Sequence, residues 1–443
     1  MKRFLSILLA ILMLAVMLPV TALAANDYVT VSGINGFKNR QFASFEEAYN
    51  AIKPELAALC ESGALGQGGT TAEKFDALFT DRDENGNATL TYTISGNITY
   101  DESTLNNLLT FGREASHYGN DRHLINFKFV GATGRDSDTL TVKSNITLPY
   151  EWWGEKTTTS ISFENLTITG TAPNGLYPTQ AYFDGINFKV DNCKLEGIKI
   201  YNCSNVGGSY TITNNIFDGT NAPQNAYAIH LQGNETAPLT INISNNTISG
   251  YDRGINIDQK TAAATISNNN ISVKDTGRSC IQLSRLASTK VENNTMNLTG
   301  GNAITLHKEL LNCAKPEITV SGNAINGTGY LIYDDSNGTF TNENLNLTIT
   351  KDNTVAKTVD ITQGVKGSTK YGMSEIVKTS VENNVVPGGS TGGTIVIIPD
   401  RTEDTPKTEP EKNPTTGAND VVAAAVALMA VSALGAAVLT RKK

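Results

Sequence analysis

Five short segments of the chain share one pattern: Ala228-Ile-His-Leu231, Gly254-Ile-Asn-Ile257, Cys280-Ile-Gln-Leu283, Ala303-Ile-Thr-Leu306 and Tyr330-Leu-Ile-Tyr333. Side chains alternate along a strand, so if Ile229 and Leu231 turn inward, His230 and Gln232 turn outward. Carried from segment to segment, that register lines up two outward columns. One is His230, Asn256, Gln282, Thr305 and Ile332; the other is Gln232, Asp258, Ser284, His307 and Asp334. Asp252, Arg253, Asp275, Arg278 and Arg285 flank them. Asp258 with His307 or Arg253 is the leading catalytic cluster, since carboxylates about 5–10 Å apart act as acid and base on a glycosidic bond. His230 and Asp334 join it as candidate binding residues. The alternative is a solvated polar face, which any exposed sheet must show.

Two further patterns bear on chemistry. Trp152 and Trp153, the only tryptophans, stand together in Pro149-Tyr-Glu-Trp-Trp-Gly154. Flat rings stack on sugar faces, so this loop reads either as a glycan platform or as packing against the fold. Asp81-Arg-Asp-Glu-Asn-Gly-Asn87 places oxygen ligands at Asp81, Asp83 and Asn85, the alternation of a Ca²⁺ loop. Its twelfth position is Tyr92 in place of Glu, and an Asn-Gly hairpin turn is the preferred reading. Ca²⁺ is the one cofactor considered. Of the five cysteines, Cys193 and Cys203 are the one pair close enough in sequence to suspect a disulfide.

The elements that position these residues are set by a repeat. Ile212-Thr-Asn-Asn-Ile-Phe217, Ile243-Ser-Asn-Asn-Thr-Ile248, Ile266-Ser-Asn-Asn-Asn-Ile271 and Val291-Glu-Asn-Asn-Thr-Met296 are one motif, with looser copies at 163–168, 190–195, 320–325, 340–345 and 381–386. The first Asn falls at Asn165, Asn192, Asn214, Asn245, Asn268 and Asn293, then Gly322, Asn342 and Asn383. A bend between strands needs a left-handed residue, which Asn and Gly tolerate best. Stacked about 4.8 Å apart, such Asn side chains can also bond in a ladder. An irregular repeat of short strands without helical period predicts a solenoid. The fold class expected is all-β: a right-handed parallel β-helix over 90–386 with an N-terminal helical cap in 25–89. Ser44 and Glu47 form a capping box before Ala48, Tyr49 and Ile52, Pro54 interrupts that helix, and Thr70 with Glu73 starts a second short one. The cap helix is expected to hide the edge of the first coil.

The repeat resembles the right-handed β-helix superfamily that includes pectate lyases and many surface proteins. The resemblance implies polysaccharide binding along a broad sheet face, or a lyase in which Asp holds Ca²⁺ while Arg or Lys abstracts a proton. Asp334-Asp335 is similar to the double Asp of polygalacturonases, but their Gly-His-Gly and Arg-Ile-Lys are absent.

The ends read as addresses. Lys2 and Arg3, an apolar run and Ala22-Leu23-Ala24 make 1–24 a secretory signal peptide. Asn413-Pro414-Thr415-Thr416-Gly417, the uncharged stretch 421–439 and Arg441-Lys442-Lys443 resemble the sorting signal of Gram-positive surface proteins. That resemblance implies a membrane-spanning 421–439, cleavage by sortase after Thr416, and covalent linkage of Thr416 to peptidoglycan. Pro- and Thr-rich 387–416 reads as a wall-spanning linker. With 35 basic against 43 acidic residues the net charge is −8, which excludes nucleic-acid binding by phosphate neutralisation. The sequence therefore predicts a secreted, cell-wall-anchored β-helix acting as an adhesin or glycan-binding protein on a host or neighbouring-cell surface. The alternative is a cell-attached polysaccharide lyase or glycosidase, and a purely structural surface-layer role ranks third.

Overall fold

The computed structural model describes residues 27–38, 40–61, 77–100, 125–143, 146–147, 160–170, 176–177, 186–203, 208–233, 238–274, 278–361 and 373–388. Two units divide the chain, Met1–Gly393 and Thr394–Lys443, and every described residue falls in the first. The leader 1–24, Thr70 and Glu73, Trp152 and Trp153, the linker beyond 388, the motif at 413–417 and the apolar stretch 421–439 lie outside the described residues. Among the described residues no helix is long and apolar enough to cross a membrane.

Short strands of alternating pattern dominate. In Leu239–Ser244, Leu239, Ile241 and Ile243 are buried while Thr240 is exposed, the period-2 signature of a half-buried strand. Successive coils lay such strands into three sheets. The first holds twelve strands. At its edge β1 (Tyr28–Ser32) and β2 (Gln41–Phe42) pair antiparallel, and β1 also pairs antiparallel with β3 (Ala88–Ser95). From β3 through Ile125–Gly131 to Asn346–Ile349 every pairing is parallel. The second sheet runs from Asn97–Tyr100 to Thr354–Val355, and the third from Ile146–Thr147 to Val359–Asp360. Thr295–Leu306 and Ala324–Asp334 are long enough to pass through both, joining them into one hydrogen-bonded set of 17 strands. This is a three-sided parallel β-helix.

Its interior is stacked columns. Tyr92, Phe129 and Phe163 lie ring on ring, with centroids 5.4 and 5.0 Å apart and planes within 16°. Farther along, the core turns aliphatic: Ile200, Ile229, Ile255, Ile281, Ile304 and Ile332 form one continuous column of the third sheet. Thr289 breaks the pattern. It is 2% exposed, stacked between Ala264 and Ile318, and its hydroxyl has no partner. Thr289→Val keeps the shape and removes an unsatisfied buried group, so about 1 kcal/mol of added stability is expected from denaturant midpoints.

The corner between the first and second sheets carries the Asn repeat, with two roles on two residues. Asn165, Asn192, Asn214, Asn245, Asn268 and Asn293 all take left-handed φ, between 52° and 60°, and Gly322 follows at 65°. The hydrogen-bonded ladder expected of these residues belongs instead to their successors. Asn215, Asn246, Asn269, Asn294, Asn323 and Asn353 are each at most 3% exposed. In each of the first five, the backbone N–H and Nδ2 both donate to Oδ1 of the next, at 2.9–3.0 Å, and Nδ2 also donates back to a carbonyl one coil earlier. The first Asn points outward and forms no continuous ladder, bonding between coils only in places, as from Asn192 Nδ2 to Asn165 Oδ1 at 2.7 Å and from Asn214 Nδ2 to Asp191 Oδ1 at 2.8 Å. Asp138 stands at the same corner nearer the N-terminus. Its carboxylate, 1% exposed, accepts from the N–H groups of Gly96, Thr133 and Gly134 and from the Thr133 hydroxyl.

Two of the looser repeat copies are corrected. Residues 341–344 form a turn, and the corner of that coil lies at Thr350–Asn353, a stretch whose Asp-Asn step disguises the motif. Residues 381–386 enter helix α2 (Glu375–Asn384), where Asn383 is helical; Val377 and Val381 seat the helix on Asn346–Ile349.

At the other end the expected capping box forms in part: Glu47 N–H donates to Ser44 Oγ at 3.1 Å, while Glu47 Oε2 accepts from the N–H of Ala43, one residue before the cap, at 2.7 Å. Helix α1 (Phe45–Glu61) runs through Pro54 where an interruption was expected. The proline removes one N–H, but Phe45, Ala48 and Ile52 are already buried on the preceding turns. Phe45 meets Tyr92 at 5.8 Å and Phe129 at 6.0 Å, so α1 plugs the open end of the core. The sheet edge itself is covered by β1 and β2 rather than by the helix.

Candidate functional site

The third sheet presents the outward columns. Tyr201 pairs with His230, His230 with Asn256, Asn256 with Gln282, and Gln282 with Thr305. Beyond Thr305 the expected register fails by one residue: Thr305 pairs with Tyr333, and Leu306 with Asp334. A one-residue slip sends each side chain to the other face. Asp334 therefore points inward, at 3% exposure, where Oδ1 accepts from the Ser336 N–H and hydroxyl and Oδ2 from the Ser374 N–H. It ties the last coils to the start of α2, turned away from the outward face. Asp335 takes the outward place.

The Asp258, His307 and Arg253 cluster does not assemble. Asp258 is ion-paired with Arg285 Nε, which a bulge at Ser284 brings opposite it. His307 Nε2 lies 3.3 Å from Asp335 Oδ2, while its Nδ1 accepts the Glu309 N–H at 3.3 Å and caps the 3₁₀ turn Lys308–Asn312. Both ring nitrogens of His307 are thereby engaged away from Asp258. Arg253 turns to Tyr227: its Nη1 donates to the phenol oxygen at 3.0 Å and its guanidinium lies 4.9 Å above the ring.

A different cluster does form. His230 sits between two tyrosines, 5.1 Å from Tyr201 and 4.7 Å from Tyr227 by ring centroids. Tyr201 donates to Gln232 Oε1 at 3.3 Å and Tyr227 to Gln282 Oε1 at 3.1 Å. Lys199 lies 5.2 Å from the Tyr201 ring. All of these side chains are partly exposed, so the rings, amides and two cations form one surface patch.

Burial, reinforced by Lys199 and Arg253, pulls the His230 pKa down to about 4. It is neutral at physiological pH, and burial likewise holds the Lys199 amine below its ordinary value. Between pH 6.5 and about 4 the unfolded chain takes up a proton that folded His230 refuses, so stability falls as pH drops through that window. His230→Gln is expected to flatten the slope in pH-dependent denaturation.

A family described as "Right handed beta helix region" matches residues 156–386, just over half of the 443. The chain belongs to this family. No curated protein and no solved structure matches it. The match covers every coil of the β-helix that carries the Tyr201–His230–Tyr227 patch.

Elsewhere in the β-helix, Asp83 in the Asp81–Asn87 loop is occupied. Oδ1 accepts the Asn85 and Asn87 N–H groups and Oδ2 accepts Nδ2 of Asn87 and of Asn126, all at 2.8–2.9 Å. Burial raises its carboxyl, but these bonds outweigh burial and hold it below the usual range. Asp83, the central member of the candidate Ca²⁺ set with Asp81 and Asn85, thus has its acceptors committed to the turn, and Gly86 at φ 80° completes the hairpin. Among the described residues no group of three or more His, Cys, Asp or Glu converges on a metal position. Cys193 is a free thiol with Sγ directed to the Phe163 carbonyl at 3.4 Å, in the column that Asn215 continues, so it is not disulfide-bonded to Cys203.

Sequence reasoning missed Lys199, Tyr201 and Tyr227. Ile198-Lys-Ile200-Tyr201 alternates like the later segments, and starting the column one coil earlier would have found the first two. Tyr227 pairs with Arg253 across coils, which only the register reveals.

Proposed function

We propose that this β-helix is a surface protein that binds glycan along its third sheet, at the patch of Tyr201, His230 and Tyr227. The observation that carries the reading is three partly exposed rings, His230 with Tyr201 at 5.1 Å and Tyr227 at 4.7 Å, bordered by Gln232, Gln282 and two cations. Aromatic surface with a few fixed polar groups is what saccharide recognition requires. Glycan-array binding of the intact protein tests it: signal lost in Tyr201→Ala/Tyr227→Ala supports the reading, and unchanged binding in that variant overturns it.

Display on a Gram-positive cell wall is part of the same reading. It rests on the 1–24 leader and on Asn413-Pro414-Thr415-Thr416-Gly417, where sortase would cleave and join Thr416 to peptidoglycan. Release from cells by a muralytic enzyme is the expected result; release by detergent alone contradicts it.

One observation favours a second reading as a polysaccharide lyase. The lowered Lys199 amine moves in the direction a proton-abstracting base needs. Unsaturated uronides released from a polysaccharide panel would support it, and binding without release would leave the adhesin. A glycosidase is disfavoured, because Asp258 and Asp335 lie three coils apart, roughly 14 Å, beyond the roughly 5–9.5 Å a carboxylate pair requires.

A further inference from the structure

Several cations on the described surface sit beside an acid. Lys128 and Lys189 share Glu164, Lys194 meets Glu196, Lys274 meets Asp252, and Arg285 meets Asp258. Lys199 and Arg253 differ: among the described residues neither has a carboxylate partner, and each lies instead against a tyrosine ring. They flank His230 on either side, Lys199 one coil before it and Arg253 one coil after. Both act on His230 electrostatically, and no acid compensates there.

That placement has three consequences. Arg253 is held over Tyr227 by its own Nη1 bond and its Nε is buried without a partner, so the cation is fixed in place and only partly compensated. His230 is uncharged and so adds no third positive charge to the pair. A divalent cation bound here would face two positive side chains and no carboxylate ligand, a donor set that suits neither Ca²⁺ nor Mg²⁺.

The geometry points to an anionic saccharide as the ligand of this patch, its ring against Tyr201 and Tyr227 and its carboxylate or sulfate-ester group held by Lys199 and Arg253 with no bridging metal. The inference rests on the glycan-binding reading and names its substrate class. An incoming oxyanion supplies the counter-charge that the partly desolvated Lys199 lacks, and the surrounding chain, at net −8, repels the same ligand elsewhere.

The test is calorimetric titration of the intact protein with a uronate tetrasaccharide, its neutral methyl ester, and a sulfated tetrasaccharide, each with and without EDTA. At least one anionic form is expected to bind with EDTA present, and to weaken as salt rises. Relative to the uronate, the ester loses about tenfold or more, as do Lys199→Gln and Arg253→Gln against either anion. Lys290→Gln, which removes an exposed cation from the first sheet, leaves affinity unchanged. If the sulfated form alone binds, the anion is a sulfate ester; if the uronate alone binds, it is a carboxylate. Equal binding of ester and acid overturns this inference and leaves the glycan reading intact. Loss of binding in EDTA overturns the metal-free claim. Silence of both anions overturns the inference, and silence of a neutral glycan panel as well overturns the reading beneath it. The ester comparison uses unaltered protein, so it stands even if a variant fails to fold.

Discussion

Replacing Asn269 by alanine is expected to destabilise the β-helix by about 3–5 kcal/mol, several times the effect of altering the adjacent Asn268. Asn269 is a central rung of the buried ladder. Its Oδ1 accepts the backbone N–H and Nδ2 of Asn246, and its own Nδ2 donates to Asn294 Oδ1 and to the Ile243 carbonyl. Alanine leaves the Asn246 backbone N–H and one of its two Nδ2 hydrogens buried without partners and takes a donor from the Ile243 carbonyl, at about 1–3 kcal/mol for each buried orphan, and opens a buried cavity. Asn268 carries a different requirement. It is exposed with φ 56°, so Asn268→Gly is expected within about 0.5 kcal/mol of the parent, while Asn268→Val costs about 1–2 kcal/mol for a β-branched residue forced left-handed. Denaturant midpoints of the three variants separate backbone geometry from side-chain bonding. A smaller loss for Asn269→Ala than for Asn268→Val would mean the ladder contributes little.

Asp138→Ala is expected to cost a similar amount, about 3–5 kcal/mol, for a related reason. Its carboxylate accepts three backbone N–H groups and one hydroxyl at a buried corner. Hydrogen bonds to a charged acceptor contribute about 1.5–3 kcal/mol each, and truncation orphans several donors at once. Asp138→Asn retains one acceptor oxygen but turns an NH₂ group toward N–H donors, so an intermediate loss is expected. Hydrogen exchange at Gly96, Thr133 and Gly134 localises the damage: these amides lose protection, and unchanged protection in a folded Asp138→Ala protein contradicts the assigned role.

The fold was legible because its demand on sequence is periodic. Left-handed corners admit Asn or Gly, and the apolar alternation of Ile229-x-Leu231 and Ile255-x-Ile257 recurs on each coil. What escaped was what periodicity does not encode. Two neighbouring asparagines look alike in sequence, yet one meets a backbone constraint and the other a buried polar one. Only the direction of the second side chain assigns the ladder. The slip that turns Asp334 inward arises where Thr295–Leu306 and Ala324–Asp334 pass from one sheet to another, and their pairing shifts between Thr299 and Asn302. Gly300-Gly301 and Gly329 stand at that shift, with Gly300 at φ 126° and Gly329 at φ 151°, but a glycine in a strand does not say which way the register moves. The site was legible in part. His230 was placed outward by alternation, but Tyr201 and Lys199 come from the preceding coil, and the Asp258–His307–Arg253 grouping failed because each member is engaged by a partner on its own or a neighbouring coil.

That patch can be watched directly through its histidine. The chain has four histidines, so imidazole resonances in a ¹⁵N-labelled sample are few enough to assign by single substitutions. Titration with a bound oligosaccharide is predicted to shift the His230 ring signals in step with saturation while those of His307, held by Asp335 and Glu309, stay in place. Saturable binding that leaves His230 unmoved, or that moves His307 instead, would contradict the assignment of the ligand to the Tyr201–His230–Tyr227 face.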